Sequence, residues 1–534
     1  MFNFAKSVGK LVANRSGGRS FEVDRWTRLG RVLILGTEGG TYYVSEHDLT
    51  REAIAVVDDC LKADGPRTVR TAVEISRAGR APRNDYAIFV IARASVMGDE
   101  LTRKAANDAL SQVCRTGTHL FQWASLIRQM GKGFSYGRRR AVRQWYFDRK
   151  VENLVYQVIK YRQRKVNGQS WTHRDMMRLA RPKVTEPQAR AVTAWMLGGW
   201  EGDLDHVPEG AMERIWAFER AQRTQNLDEL MGLIIDHQLP RECVPTRWFG
   251  HVKAARVWEA LAAQGMPYTA MMRNLGNMTR IGYLSSGSDA ALRIAQALAD
   301  PDRIRRARIH PFNVLVALLT YKRGCGVRGS GTWTPLAPIV EALEAAFQLS
   351  FGNVPDVGKR WLIALDVSGS MCGPGLMGLP ELSPRMASAA MSTILVETQK
   401  QVSVMGFSNT FTPINIRPGM RLDTVVRNVS GLPFGSTDCS LPFNWASDLW
   451  KRNKQGFDMF VVYTDNDTNS NRIDPHIALE RYRDLTGIPA RLVVQAMTAD
   501  RFSIANPADP GMLDLCGLDS AAPRLTTDFA EGAF

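Results

Sequence analysis

From Thr50 to about Leu349 the apolar residues recur at three- and four-residue spacing, with Gly, Pro or Asn between the runs. That period predicts an almost wholly helical region. Expected helices include Leu49–Ala63, Thr68–Ala78, Asp85–Ala94, Thr102–Cys114, Ala141–Lys165, Thr172–Leu179 and Glu186–Leu197. The pattern continues over Ala211–Gln225, Leu227–His237, Lys253–Gln264, Tyr268–Leu275, Asp289–Ala299 and Pro311–Tyr321. Antiparallel helix pairs in series suggest a HEAT-like solenoid, although no clean sequence repeat accompanies them. After the glycine-rich stretch 324–331 and a further helix over Leu336–Leu349, the pattern changes. Short apolar runs at Trp361–Leu365, Gln401–Phe407, Phe457–Tyr463 and Arg491–Ala496 read as buried strands. Between them lie amphipathic stretches, Arg385–Gln399, Leu422–Val429, Leu441–Leu449 and His476–Thr486. Strand–helix alternation of this kind predicts a doubly wound, mostly parallel α/β sheet.

The ends are less patterned. Residues 1–24 read as a flexible basic tail, followed by a helix over Arg25–Leu35. The segment Gly36–Val44, GTEGGTYYV, lacks the Lys of a phosphate-binding loop and reads as a tight turn. Met512–Phe534 offers an apolar segment that packs back at a place its sequence does not specify. Three parts follow: the tail 1–24, a helical region 25–352 and an α/β domain 356–534.

The length, 534 residues, asks for two or more domains, and 45% hydrophobic content supports globular folding. The formal charge of +15 favours a polyanionic partner, most simply nucleic acid. That charge is concentrated: residues 128–190 carry 17 Lys and Arg against 4 Asp and Glu. Arg138, Arg139, Arg140 and Arg143 form one cluster; Lys160, Arg162, Arg164 and Lys165 form another, and Arg174, Arg178, Arg181 and Lys183 follow. Trp145, Tyr146, Tyr156, Tyr161 and Trp171 are interleaved. Basic side chains neutralise phosphates, and aromatic faces either stack on unpaired bases or fill the core. The seven cysteines are scattered without a C-x-x-C, which fits a reducing cytoplasm. No apolar run reaches the roughly 18 residues of a membrane span.

The candidate chemistry lies where strands end. Trp361–Leu365 runs into Asp366, Ser368 and Ser370; Gly435–Asp438 supplies Thr437 ahead of a helix; the strand at Phe457 ends in Asp465. Ligand sites of open α/β sheets sit outside the carboxyl ends of their strands. Carboxylates and hydroxyls so placed suit a hard cation, Mg²⁺ being favoured by abundance, with Mn²⁺ and Ca²⁺ as alternatives. The plainer reading is that these residues cap the helices that follow. A serine-hydrolase motif is absent, because Asp366 and Ser370 stand where glycines are needed around Ser368. A phosphatase would want an Asp where Ser368 stands. No nuclease constellation is present, so the expected role is non-catalytic.

The D-x-S-x-S, Thr and strand-end Asp resemble the metal-ion-dependent adhesion site of von Willebrand factor A domains. That resemblance implies direct metal contact from Ser368, Ser370 and Thr437, and contact through water from Asp366 and Asp465. Over nearly its whole length the chain resembles the Ro autoantigen family, defined by the TROVE module, in its bacterial type. The markers are RLGRVLILGTEGGTYY (28–43), VCRTGTHLF (113–121), MMRNLGNMT (271–279) and ARIHPFNVLVAL (307–318). In the second domain they are ALDVSGSM (364–371), GSTDCSLP (435–442), VYTDNDT (462–468) and GMLDLCG (511–517). The resemblance implies a monomeric ring of HEAT-like helices closed by the second domain. It implies a small non-coding Y-like RNA on the outer surface. It also implies misfolded or structured RNA with a single-stranded 3′ end in the central hole, and an exoribonuclease partner. Carried over by motif, the Y RNA surface falls on Lys160 and Arg164, with Arg181 where the family usually has His, and with Arg174 on the same helix. The hole lining falls on Arg139, Arg140 and His119. The alternative is a metal-dependent, adhesion-type protein-binding module to which RNA is secondary.

Overall fold

Helix-forming spacing produces helices where it was expected, and the exceptions have local causes. The computed structural model describes residues 10–36, 46–166, 169–250, 253–326, 331–352, 354–373, 382–432, 435–469, 473–497 and 501–533. Of the glycine-rich segment 36–44 only Gly36 is among them. The two expected helices Leu49–Ala63 and Thr68–Ala78 are one element, Glu46–Ala78, broken at Asp64 (φ −160°, ψ 90°) just before Pro66. Proline clashes with the preceding turn, and Asp64 restarts the helix by accepting from the Arg67 amide at 2.8 Å. The expected long helix Ala141–Lys165 is two, Tyr136–Phe147 and Val151–Lys160. A helix at Pro301–Ala307 was not anticipated.

Among the described residues, eleven strands accompany the helices: β1 (Leu11–Ala13), β2 (Arg19–Glu22), β3 (Gln163–Val166), β4 (Gln169–Thr172), β5 (Arg360–Asp366), β6 (Gln401–Phe407), β7 (Phe411–Pro413), β8 (Met459–Thr464), β9 (Arg491–Ala496), β10 (Phe502–Ser503) and β11 (Met512–Cys516). The tail expected over residues 1–24 is ordered over much of its length. β1 and β2 pair antiparallel, and β2 adds β10 from the far end of the chain. Strands this short carry no readable period, which is why they passed as irregular.

The α/β domain holds six strands in the order β11-β9-β8-β5-β6-β7, all parallel except the edge strand β7. The order reverses at β5, so its carboxyl end and that of β8 flank a switch point. Every residue of β5 after Arg360 is buried. Trp361, Ile363 and Leu365 face a core continuous with the helical region, and Leu362 and Ala364 face the opposite core. The expected strands and helices of this domain are all present. The C-terminal segment, whose place was open, supplies edge strand β11 and the helix Ala522–Glu531.

The helical region closes on itself. His310, which caps the helix Pro311–Arg323, donates from Nε2 to the Arg80 carbonyl at 2.8 Å. Arg308 Nη1 reaches the Arg77 carbonyl at 3.4 Å. The α/β domain bridges this closure. Arg31 grips Asp514 with two bonds of 2.8 and 2.7 Å, and Arg80 pairs with Asp519. From the other end of the helical region, Lys322 reaches Asp423 at 3.2 Å. Among the described residues no helix is long and apolar enough to cross a membrane.

Candidate metal centre and nucleic-acid interface

The apolar run of β5 delivers Asp366 to its buried end, and the chain then turns sharply. Ser368 donates its amide to Asp366 Oδ1 at 2.9 Å, and Thr464, last in β8, donates its hydroxyl to Oδ2 at 2.7 Å. The turn sets the hydroxyls of Ser368 and Ser370 3.1 Å apart. Asp465 accepts from the Ser370 hydroxyl and, at 3.1 Å, from the Asp467 amide. Thr437 lies on a loop stitched to the one after β8: its amide donates to Asn469 Oδ1, and its carbonyl accepts from Asn469 N and Thr468 Oγ1. Asp366, Ser368, Thr437 and Asp465 are at most 3% exposed, and Ser370 is 8% exposed.

Charge in this pocket is out of balance. Burial raises the Asp366 pKa, opposed by its hydrogen bonds and by Arg385. Burial, then the charges of Asp366 and Asp467, pushes Asp465 well above the usual carboxylate range. Arg385 spends its Nη2 on the carbonyls of Val367 and Leu432. A dication would reverse the carboxylate shifts by favouring the charged forms. The donor set of hydroxyls and two carboxylates fits a hard oxygen-seeking cation. Among the described residues no three His, Cys, Asp or Glu side chains converge as they would at a zinc site.

Earlier in the chain, in the helical region, the basic cluster divides into structural and exposed parts. Arg138 is buried, donating to the carbonyls of Gly133 and Ser95, each at 2.6 Å. Arg143 caps the Ala180 carbonyl, and Arg149 lies on the Trp145 ring. Trp145, Tyr146 and Trp171 are core residues, and the Tyr146 hydroxyl meets buried His173 Nδ1 at 2.6 Å.

The exposed part centres on a cleft of about 640 Å³ that brings Lys160 and Arg174 together. Lys160 ends its helix with Nζ 2.7 Å from the Tyr156 hydroxyl, between the rings of Tyr156 and Tyr161. Burial opposes its charge, but the hydrogen bond and the nearby Tyr161, Tyr156 and Glu242 prevail, so its pKa is raised. Arg174 sits in the first turn of the helix His173–Ala180, whose start is fixed by a capping box between Thr172 and Asp175. Arg164 stands on β3 opposite Trp171 of β4; its side chain is outside the described residues. Arg181 terminates the same helix in the left-handed region (φ +48°), exposed, its amide on the Met177 carbonyl.

The structure does not bring the other predicted RNA residues into this cleft. Arg140 is exposed on a separate hollow of about 290 Å³ with Arg103 and Lys104. Arg139 and His119 are half-buried on the helices Tyr136–Phe147 and Gly117–Gln129. Two residues that the sequence marks only as members of the basic run, and not as RNA contacts, also stand here. Arg162 lines the Lys160 cleft, held over the Phe218 ring at 4.9 Å, and Arg178 is exposed one turn beyond Arg174. The alternate spacing 160, 162, 164 and the i, i+4 spacing 174, 178 were the available signals.

Comparison with known proteins places both parts of the chain in known families. A family model described as the TROVE domain matches residues 12–201 and 249–320, and one described as the Ro60 vWA domain matches residues 360–530. The chain is 38% identical over 525 residues to the RNA-binding protein RO60 of Deinococcus radiodurans, covering 98% of this chain and 96% of that one. It is 32% identical over 596 residues to the RNA-binding protein RO60 of Caenorhabditis elegans, covering 98% and 90%. The crystal structure of the Deinococcus radiodurans Ro (RSR) protein matches with a TM-score of 0.70 at 37% identity, over 96% of this chain and 100% of that one.

Proposed function

The chain belongs to the Ro60 family, and on that premise we propose that it is the RNA-binding scaffold of a ribonucleoprotein. Its cargo is a small, folded, Y-like RNA held on the outer face of the helical region. A second class of cargo, misfolded or structured RNA, enters by its single-stranded 3′ end and is handed to an exoribonuclease in the cytoplasm. The role is one of binding and presentation, without catalysis by this chain.

The observation that carries the reading is the Lys160–Arg174 cleft. Its cations stand on a rigid aromatic and helical base, so little side-chain entropy is lost when they meet phosphate. Arg162 and Arg178 extend the charge to either side. Glu219 and Glu242 also line the cleft, Glu242 near Lys160, and limit how much phosphate it can take. Ser368, Ser370 and Thr437 would hold a divalent ion, Mg²⁺ by abundance, with Asp366 and Asp465 contributing through water. When bound there, such an ion would offer an open coordination position to the carboxylate of a protein partner.

The test is a salt titration of stem-loop RNA binding by wild type and by Lys160→Ala/Arg174→Ala. Each lost phosphate contact lowers the slope of log K against log salt by about 0.7–0.9. The double variant is expected to bind with a slope shallower by about 1.4–1.8. An unchanged slope and affinity would refute the assignment of the cleft.

A further inference from the structure

A second group of cations lies where the two ends of the helical region meet. Arg77 and Arg115 come from the beginning of the region, and Arg306 and Arg308 from its end. All four are exposed, and Arg77, Arg115 and Arg308 are joined in one network. Arg308 Nη1 donates to the Arg77 carbonyl at 3.4 Å, and Arg77 Nη1 donates to Gln112 Oε1 at 3.3 Å. Arg115 Nη1 donates to the Gln112 carbonyl at 3.3 Å and to the carbonyl and hydroxyl of Ser76 at 3.1 and 2.9 Å. Arg306 Nε donates to the Asp302 carbonyl at 3.3 Å. Among the described residues none of the four pairs with a carboxylate. The acids nearby are taken: Asp300 by Arg303, Asp302 by Arg305 and Asp519 by Arg80.

Two features mark this as more than a solvated face. Arg308 occupies the left-handed region (φ +47°), where a side chain costs about 1–2 kcal/mol and glycine is usual. The strained backbone holds a guanidinium against the seam rather than a neutral cap. The charges also oppose one another across the seam. Partial burial of its guanidinium is the main cause that lowers the Arg115 pKa; Cys114 opposes it, and Arg308 across the seam adds a smaller push in the same downward direction. The closure, made by His310 and Arg308 on backbone carbonyls, therefore works against like-charge repulsion.

We propose that this seam is a second RNA-contact surface, where the phosphates of one strand bridge Arg77 and Arg115 to Arg306 and Arg308 and hold the helical region closed. It rests on the RNA-binding reading above, but it involves none of the residues of the Lys160 cleft. Guanidinium forks match phosphate and carboxylate alike; RNA is favoured over an acidic protein segment because an extended strand with a phosphate at every nucleotide spans both ends at once.

The experiment follows a duplex RNA with a single-stranded 3′ tail. Hydrogen exchange is read over residues 76–84 and 304–314, and binding is read against salt. In wild type, RNA is expected to slow exchange in both segments. In Arg306→Gln/Arg308→Gln, on the exposed side of the seam, the protection is lost and the salt slope falls by about 1.4–1.8. Arg77→Gln, across the seam, loses the protection as well. Lys160→Ala/Arg174→Ala keeps it. Wild type that binds this RNA without protection at the seam overturns the proposal and leaves the Lys160 cleft standing. Wild type that binds no RNA overturns both readings. Protection by polyglutamate equal to that by RNA assigns the seam to acidic protein and overturns the RNA proposal.

Discussion

Acid is expected to loosen the closure through one buried imidazole. His310 is 4% exposed, donates from Nε2 to the Arg80 carbonyl at 2.8 Å, and accepts the Phe312 amide on Nδ1 at 3.1 Å. The acceptor nitrogen has no room for a proton. Burial lowers the His310 pKa to about 4, against the pull of the Arg80 carbonyl and of Asp519. Arg80, paired with Asp519, and Arg308 are the other charges at this joint. Between about pH 4 and the ordinary value of 6.5, the opened chain binds a proton that the closed chain does not. Stability is therefore full above 6.5 and falls as the pH drops toward 4. The window spans about 2.5 pH units, or about 3 kcal/mol at 1.36 kcal/mol per unit. The assay is native-state hydrogen exchange of the amides at Phe312–Leu315 from pH 7 to pH 4.5, corrected for intrinsic rates, in wild type and in His310→Gln. The difference in opening free energy between high and low pH is expected to shrink by about 2–3 kcal/mol in the variant. Buried His173, with its pKa lowered to about 3 by burial, adds its own acid sensitivity to both proteins, so only the difference is informative. Equal pH dependence in the two proteins would refute the argument.

Other perturbations address separate joints. Arg31→Met leaves Asp514 half-buried without its partner and is expected to cost about 3–5 kcal/mol in chemical denaturation. Arg31→Met/Asp514→Leu recovers part of that loss, and an equal loss in both would show that the charge is not what matters. Asn14→Ala removes a bond of 2.9 Å to the Thr468 carbonyl and the acceptor of the Gly18 amide, and is expected to expose residues 10–22 to protease. Unchanged digestion would contradict a hairpin held by that side chain. Mg²⁺ at about 100 times its Kd is expected to stabilise wild type by about 2.7 kcal/mol, reversibly with chelator. Ser370→Ala is expected to lose most of this, and an identical thermal shift in the variant would contradict the assigned ligands.

Where local pattern and tertiary environment agree, the sequence was a reliable guide. Trp361–Leu365 is apolar throughout because both faces of β5 are covered, and the polar residues begin where the strand leaves the sheet. Asp366, Ser368, Ser370 and Asp465 then follow at positions that the strand ends dictate, and the structure brings them into one network. Local pattern fails where partners are distant. β2 takes its neighbour β10 from about 480 residues away, so nothing near Arg19–Glu22 marks it as a strand. β3 hid at the end of the apparent helix Ala141–Lys165 because Gln163–Val166 is short and mostly polar. Arg138 and Arg143 read as surface charge, but their partners are the carbonyls of Ser95 and Ala180, which no spacing announces. Arg162 and Arg178 carried a signal, but it was diluted by equally basic neighbours.

The most direct measurement is a competition among three RNAs: a Y-like stem-loop, a duplex with a 3′ single-stranded tail, and the same duplex blunt-ended. Each is titrated against wild type and Lys160→Ala/Arg174→Ala at two salt concentrations. Wild type is expected to prefer the tailed duplex to the blunt one, and the double variant to lose chiefly the stem-loop. Equal, weak binding of all three, unchanged in the variant, would contradict both expectations.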